Sequence, residues 1–436
     1  MPRKLVPALA TVVSTLTLVV GCAQTATTTP PATFPYTSVV PVGSADTPTA
    51  VEQRYGGQVV VWRPEAAFAV LGLSHHAAGV LSAQSDAGGS IAVEPNVQAY
   101  GASGTLSAWS GQATRVDAGG RAVIWSGGRA VIWSGGRAVI WSGGTGTVGG
   151  VPENSASWAQ IGLPAAWAAA PNLGQGVKVA VIDTGVDLTH EMFQGALAGP
   201  ADQWDFVNGD PVPQDEGGFS DPGFGHGTSV AGIVLQIAPH ATVMPIRALR
   251  PDGSGDETAI AQAINFAVSH GAQVINLSLG STQKSDVIAR MIKFATEQGV
   301  SVVSSSGNSG DDKITAPARD ADGKKTLGVG SVDRDDRKSS FSTYGDKLDV
   351  MAPGETVWGP VPGNYFSYWS GTSMAAPEVT GAVALALGQP LRVAPKDLLA
   401  TLVDTATDIR PLNKAYGSKV RRRLDVAGFL QAATLP

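Results

Sequence analysis

One cysteine, Cys22, stands in a chain of 436 residues. A single thiol cannot close a disulfide within the chain, and it excludes a metal site built on several cysteines. Charge is scarce as well: Asp, Glu, Lys and Arg make up 15% of the residues, and the net charge is −6. A charge-rich disordered chain is therefore excluded, and there is no basic surplus of the kind that grips nucleic acid. No apolar stretch is long and pure enough to span a bilayer as a helix. Against these absences stand 54 Gly and 28 Pro with no Gly-X-Y period, so turns are plentiful and collagen is excluded. At 43% hydrophobic residues the chain can build sizeable cores, and its length suggests two or three domains.

The beginning of the chain reads as an address. Arg3 and Lys4 precede a broken apolar stretch, Leu5 to Val20, which ends Leu18-Val19-Val20-Gly21-Cys22. A basic start followed by a short apolar run is an export signal. Its end resembles the bacterial lipoprotein box, in which the signal is cut before a cysteine that then carries lipid. Cys22 is accordingly the expected lipidation site, on a protein exported from a bacterial cell and anchored at the envelope, or secreted after processing.

Five segments follow from composition. Residues 1–21 are the signal and 22–55 a Thr/Pro/Ala-rich tether that buries little. Residues 56–118 form a small α+β unit, with a strand at Gln58–Trp62, a helix-like stretch at Pro64–Leu71 and a strand around Ser90–Asn96. Residues 119–150 hold three copies of Arg-Ala-Val-Ile-Trp-Ser-Gly-Gly, starting at 121, 129 and 137. Their alternation suits short strands between glycine turns, but unvaried copies fit an unrefined linker better. From 151 to 436 short apolar runs alternate with amphipathic ones. Strands are expected at 177–182, 241–248, 274–279 and 300–305, and helices at 227–235, 257–270 and 285–298. That order predicts an α/β fold with a mostly parallel sheet covered on both faces.

In such sheets reactive groups gather beyond the carboxyl ends of the strands, and there the polar anomalies lie. Asp183 ends the run Val181-Ile182 and could orient a base, although Asp-Thr-Gly is also common turn chemistry. His226 sits between glycines in Gly225-His226-Gly227-Thr228, a setting none of His75, His76, His240 and His270 shares. Ser373 opens an apolar helix, where free backbone N–H groups could hold an oxyanion; an ordinary N-cap serine would look the same. Asn308, in Ser306-Gly307-Asn308, offers an amide donor or a turn residue.

Taken together, these motifs resemble those of the subtilisin-like serine peptidases, over residues about 155–430. Ile182-Asp183-Thr184-Gly185, Gly225-His226-Gly227-Thr228, Ser278-Leu279-Gly280, Gly307-Asn308 and Gly371-Thr372-Ser373-Met374-Ala375-Ala376-Pro377 carry the resemblance, with Phe341 to Gly345 and Val350 to Gly354 beside them. It implies a three-layer subtilisin-like fold and an endopeptidase acting on proteins or peptides through an acyl-enzyme. Asp183, His226 and Ser373 would be the triad and Asn308 the oxyanion donor. Ser278, Leu279 and Gly280, with Ser306 and Gly307, would line the substrate cleft. No cofactor is implied for catalysis. Structural calcium is possible, but no ligand can be assigned; the helix after His226 ends at Ala238-Pro239 without room for a calcium loop that relatives insert there. Ile91-Ala92-Val93-Glu94-Pro95-Asn96 resembles the end of a subtilisin-type propeptide, which makes the N-terminal unit an expected partner of the peptidase and the protein a zymogen. Relatives often carry His where Ser229 and Glu378 stand. A catalytically silent scaffold on this fold is disfavoured by the presence of all four reacting positions. An esterase-type hydrolase is disfavoured by the serine coming last.

Overall fold

The computed structural model describes residues 34–86, 91–96, 100–102, 105–106, 122–126, 129–134, 137–142, 145–148, 152–218 and 220–435. The export signal and Cys22 lie outside the described residues.

The first unit begins well before residue 56. Strand β1 (Tyr36–Pro41), helix α1 (Pro48–Tyr55), β2 (Gln58–Arg63), β3 (Phe68–Leu73), α2 (His75–Asp86) and β4 (Val93–Pro95) build one antiparallel sheet in the order β2-β3-β1-β4. The expected tether over 22–55 is thus corrected from Tyr36 onward. Val40 and Val51 are fully buried. Thr47 caps α1 by accepting from the Ala50 N–H, Pro48 pre-sets its first turn, and Gly56 ends it in the left-handed conformation. The helix expected at Pro64–Leu71 is a second correction. Only Pro64–Ala66 turns, as a single 3₁₀ turn, and Phe68–Leu73 is a strand buried at all six positions. A continuous apolar run does not reveal its own period, and burial from both sides selects the strand here.

Two short strands then reach the larger unit, β5 (Tyr100–Ala102) and β6 (Thr105–Leu106). The octapeptide copies pair as strands instead of running as a linker. β7 (Ala122–Ser126), β8 (Arg129–Ser134), β9 (Arg137–Ser142) and β10 (Thr145–Val148) form an antiparallel sheet, with Ala122 opposite Trp133 and Ala130 opposite Trp141.

The large unit runs α3 (Ser155–Gln160), α4 (Leu163–Ala169), β11 (Lys178–Asp183), β12 (Trp204–Asp205), α5 (His226–Ile237), β13 (Thr242–Arg247), β14 (Ser254–Gly255), α6 (Glu257–Ser269), β15 (Val274–Leu277), β16 (Leu279–Gly280), α7 (Asp286–Glu297), β17 (Ser301–Ser305), β18 (Thr326–Val332), β19 (Val350–Pro353), β20 (Val357–Val361), β21 (Tyr365–Ser370), α8 (Thr372–Leu387), α9 (Leu398–Thr405), β22 (Thr407–Asp408), β23 (Arg422–Arg423) and α10 (Val426–Ala433). Nine strands join in the order β12-β13-β11-β15-β17-β18-β19-β23-β22, with only the last pair antiparallel. Alternation divides the sheet's side chains between two cores. Val179, Val181, Val274 and Val303 face α5 and α8; Ala180, Ile182, Ile275 and Val302 face α6 and α7. The fold is the expected subtilisin-like three-layer α/β arrangement.

Candidate active site

Asp183 is the last residue of β11, and it is fully buried. Its Oδ1 accepts from the Thr184 N–H at 2.7 Å and faces His226 Nδ1 at 2.7 Å. His226 is the first residue of α5, beside β11. The close approach depends on Gly227, where a Cβ would stand 2.2 Å from the Gly185 carbonyl oxygen. Thr184 Oγ1 accepts from the Gly227 N–H at 2.9 Å and ties the two segments together. A carboxylate on Nδ1 makes that nitrogen the protonated one and leaves Nε2 as the base. Nε2 is buried and has no hydrogen-bond partner among the described residues. The Trp369 ring packs edge-on against the imidazole, with centroids 5.6 Å apart.

Ser373 lies in the first turn of α8, the helix packed on α5. Its hydroxyl donates to the Ser278 carbonyl at 3.2 Å, and Ser278 Oγ donates to the Ser373 carbonyl at 2.9 Å. Ser278 is in turn held by Asn276 Nδ2 at 2.9 Å, and Asn276 Oδ1 accepts from Thr380 Oγ1 at 2.8 Å. The serine therefore sits in a continuous buried polar network, not on a free helix end.

Asn308 is oriented by Thr372. The Thr372 N–H and hydroxyl both donate to Asn308 Oδ1 at 2.9 Å, which fixes the amide so that Nδ2 is the outward donor. Gly307 adopts φ +104°, where a Cβ would meet Thr315 Cγ2 at 2.9 Å, and its N–H donates to Thr372 Oγ1 at 3.2 Å. Ser306 Oγ donates to the Thr343 carbonyl at 2.9 Å. Leu279 and Gly280 form β16, and β14 stands opposite with room for one strand between them. β5 fills that room, with Gly101 opposite both Ser254 and Gly280 and Ala102 opposite Leu279. β6 pairs with β21, which leads into Ser373.

Several residues at the site were invisible in the sequence motifs. Asp215 is buried and accepts from the Gly225 N–H at 3.1 Å and from the Thr228 hydroxyl at 2.6 Å. Burial pushes its carboxyl up to about 7 in spite of those donors. Asn276 and Thr380 likewise meet only in the fold, and Thr372, although it stands in the serine motif, gave no sign there of its contact with Asn308. Glu378 lies one and a half turns beyond Ser373, is fully buried, and neither carboxyl oxygen has a hydrogen-bond partner. Burial raises it well above the usual carboxylate range. Among the described residues no three His, Cys, Asp or Glu side chains gather as a metal site, and no helix is long and apolar enough to cross a membrane.

The Subtilase family profile matches residues 174–421. Thermitase of Thermoactinomyces vulgaris is 39% identical over 240 residues, which cover 53% of this chain and 81% of that protein. Subtilisin Savinase of Lederbergia lenta is 40% identical over 254 residues, 56% of this chain and 88% of that one. The crystal structure of a cold adapted subtilisin-like serine proteinase superposes with a TM-score of 0.51 at 30% identity, covering 58% of this chain and 89% of that one. The chain belongs to the subtilase family and is a serine-type endopeptidase.

Proposed function

We propose that Asp183, His226 and Ser373 are the catalytic triad and that the enzyme is made as a zymogen whose N-terminal unit blocks the cleft. The observation that carries the reading is the buried 2.7 Å contact between His226 Nδ1 and Asp183 Oδ1, at the head of the helix that packs against the Ser373 helix. In the reaction the Ser373 hydroxyl turns from the Ser278 carbonyl to His226 Nε2, loses its proton there, and attacks the substrate carbonyl carbon. Asn308 Nδ2 and the Ser373 backbone N–H hold the oxyanion. The imidazolium, stabilised by Asp183, gives its proton to the leaving amine, and water then hydrolyses the acyl-enzyme by the same relay in reverse. β14 and β16 bind the substrate backbone, with Ser306 and Gly307 on the wall for the side chain before the cut. Backbone pairing of this kind gives affinity that depends little on sequence.

Support for the zymogen comes from β5, an antiparallel strand held on both sides where a substrate would pair. With β6 anchored on the far side of Ser373, self-cleavage is expected between these two strands. Export and a lipid anchor on Cys22 complete the reading, and rest on the sequence at 1–22. The test compares the wild-type chain with Ser373→Ala. The substitution is expected to lower casein turnover by roughly 10⁶ and to abolish any new N-terminus between β5 and β6. Similar turnover by the two proteins would reject the triad, and an unprocessed but fully active wild-type chain would reject the zymogen.

A further inference from the structure

Glu257 opens α6 on the outer layer of the peptidase, yet its side chain is completely buried. The N-terminal unit buries it. Thr37 of β1 donates its hydroxyl to Glu257 Oε2, while Oε1 has no hydrogen-bond partner. The Glu257 N–H donates to Asn96 Oδ1 at 3.0 Å, and Asn96 Nδ2 holds the Phe34 carbonyl at 2.6 Å. Beside them Glu94, opposite Thr37 in the β1–β4 ladder, accepts from the Asp286 N–H at 2.9 and 3.1 Å at the start of α7.

The charges facing Glu257 are mostly of its own sign. Asp256 precedes it on the same chain and Glu94 reaches in from β4, while the start of α7 turns the Ser285 hydroxyl towards it. The nearby cations are engaged elsewhere: Lys284 pairs with Asp286 at 2.6 Å and Arg250 with Asp256 at 3.3 Å. A carboxylate at Glu257 would be sealed in the seam beside two other acids, with two hydroxyls but no cation of its own, an arrangement that disfavours charge. A neutral carboxylic acid carries no such penalty.

We propose that Glu257 docks the N-terminal unit as a neutral acid, and that loss of its proton releases that unit once the connecting chain has been cut. This deepens the zymogen reading and rests on it. Burial, opposed by the Ser285 and Thr37 hydroxyls and reinforced by Glu94 and Asp256, pushes the docked Glu257 carboxyl up to about 7, and burial raises Glu94 in the same direction. Once the seam opens, water returns Glu257 to the ordinary value of 4.5. The docked state thus binds more protons than the open one. Docking is at full strength below the open-state value, weakens as pH rises from there to about 7, and levels off above. A gap of that size permits a weakening on the order of 10²-fold.

The experiment uses the full chain carrying Ser373→Ala, so that neither cleavage nor turnover intervenes. Amide hydrogen exchange, corrected for its intrinsic pH dependence, is followed at pH 5 and pH 8 in the first turn of α6 and in β1–β3. The opening equilibrium at the seam is expected to rise on the order of 10²-fold between these pH values. Adding Glu257→Gln should remove most of that rise. An opening equilibrium that does not change with pH, or one that changes equally with Gln at 257, overturns the proposal. Should the Gln variant fail to dock at any pH, Thr37→Val decides. It removes the hydroxyl and keeps the acid, so docking should weaken while its pH dependence persists; a flat response overturns the proposal. The zymogen reading is judged separately, on whether the wild-type chain cuts itself and is silent towards casein before it does.

Discussion

The two faces of the central sheet are covered by helices of different character. On one face, every residue of α5 is buried, as is every residue of α8 except Leu387. They are small and apolar all round because a further layer of α4, α9, α10 and the β20–β21 hairpin closes over them. On the other face α6 and α7 are amphipathic, and the layer beyond them is the β2-β3-β1-β4 sheet of the N-terminal unit. Phe68 packs edge-on against Phe294 with ring centroids 5.8 Å apart, and Arg290 lies 3.9 Å from the Phe68 ring centre. The contrast separates two tasks. His226 and Ser373 lie in the first turns of helices enclosed by the peptidase unit's own core, which suits groups that must stay aligned to a fraction of an ångström. The outward-facing helices are covered by the N-terminal unit, the layer that the proposed zymogen would shed once cut, and Glu257 and Glu94 lie in the seam between the two.

The permanence of the inner layer is open to challenge at its most demanding contact. Asp183→Asn keeps the shape of the side chain but reverses what the Nδ1 side of His226 meets, so the wrong tautomer is favoured. Turnover of a peptide substrate is expected to fall on the order of 10⁴-fold, with little change in KM. A loss below tenfold would mean that the carboxylate does not direct the imidazole. Next in size is Asn308→Ala. If its amide acts only on the developing oxyanion, as proposed, removing it should cost about 10²–10³ in kcat and leave KM alone. A matching rise in KM would instead place Asn308 in ground-state binding.

The third expectation concerns the flaw in the permanent layer. Glu378 is a sealed carboxyl with no partner, so it must enter the fold protonated. A carboxyl raised in the folded state holds a proton that the unfolded chain has already released, so stability falls as pH climbs above the ordinary carboxylate value of 4.5. Glu378→Met should raise stability by about 1–3 kcal/mol at pH 8 and by less at pH 5. Urea unfolding of the Ser373→Ala protein measures both. A destabilised Met variant at pH 8 would show that the carboxyl is satisfied in a way its surroundings do not reveal.

What could be read in the sequence follows from the same contrast. Asp183, His226, Asn308 and Ser373 stood out because each is polar, with a glycine within two positions, and lies near the end of an expected strand or the start of an expected helix, a combination that packing alone does not select. The alternation of strands and helices from 177 onward was equally plain, since each element is long enough to display its period. The N-terminal unit was harder. Tyr36–Tyr55 has the Thr, Pro and Ser content of a tether, and only pairing of β1 with β3 and β4 makes its valines a core. Phe68–Leu73 carries no period because the α1–α2 side and the α6–α7 side bury it together. Asp215 and Asn276, and the contact that Thr372 of the serine motif makes with Asn308, were illegible for a different reason: their partners are brought in by the fold, and a single chain read in order has no signal for such contacts.

Thr372 gives the smallest and most discriminating expectation. Its hydroxyl and its N–H both hold Asn308 Oδ1. Thr372→Val removes the first and keeps the second, so Asn308 remains in place but is less firmly turned. A net hydrogen bond of about 1 kcal/mol corresponds to roughly a fivefold loss in kcat. The same substitution made in an Asn308→Ala background should cost less than it does alone, because the hydroxyl then has only the Gly307 N–H left as a partner and no amide to orient. If the two losses multiply instead, Thr372 acts on Ser373 through the first turn of α8 and not through the oxyanion donor. In that case the permanent layer aligns its groups by packing alone, and the polar links across it are a consequence of that alignment.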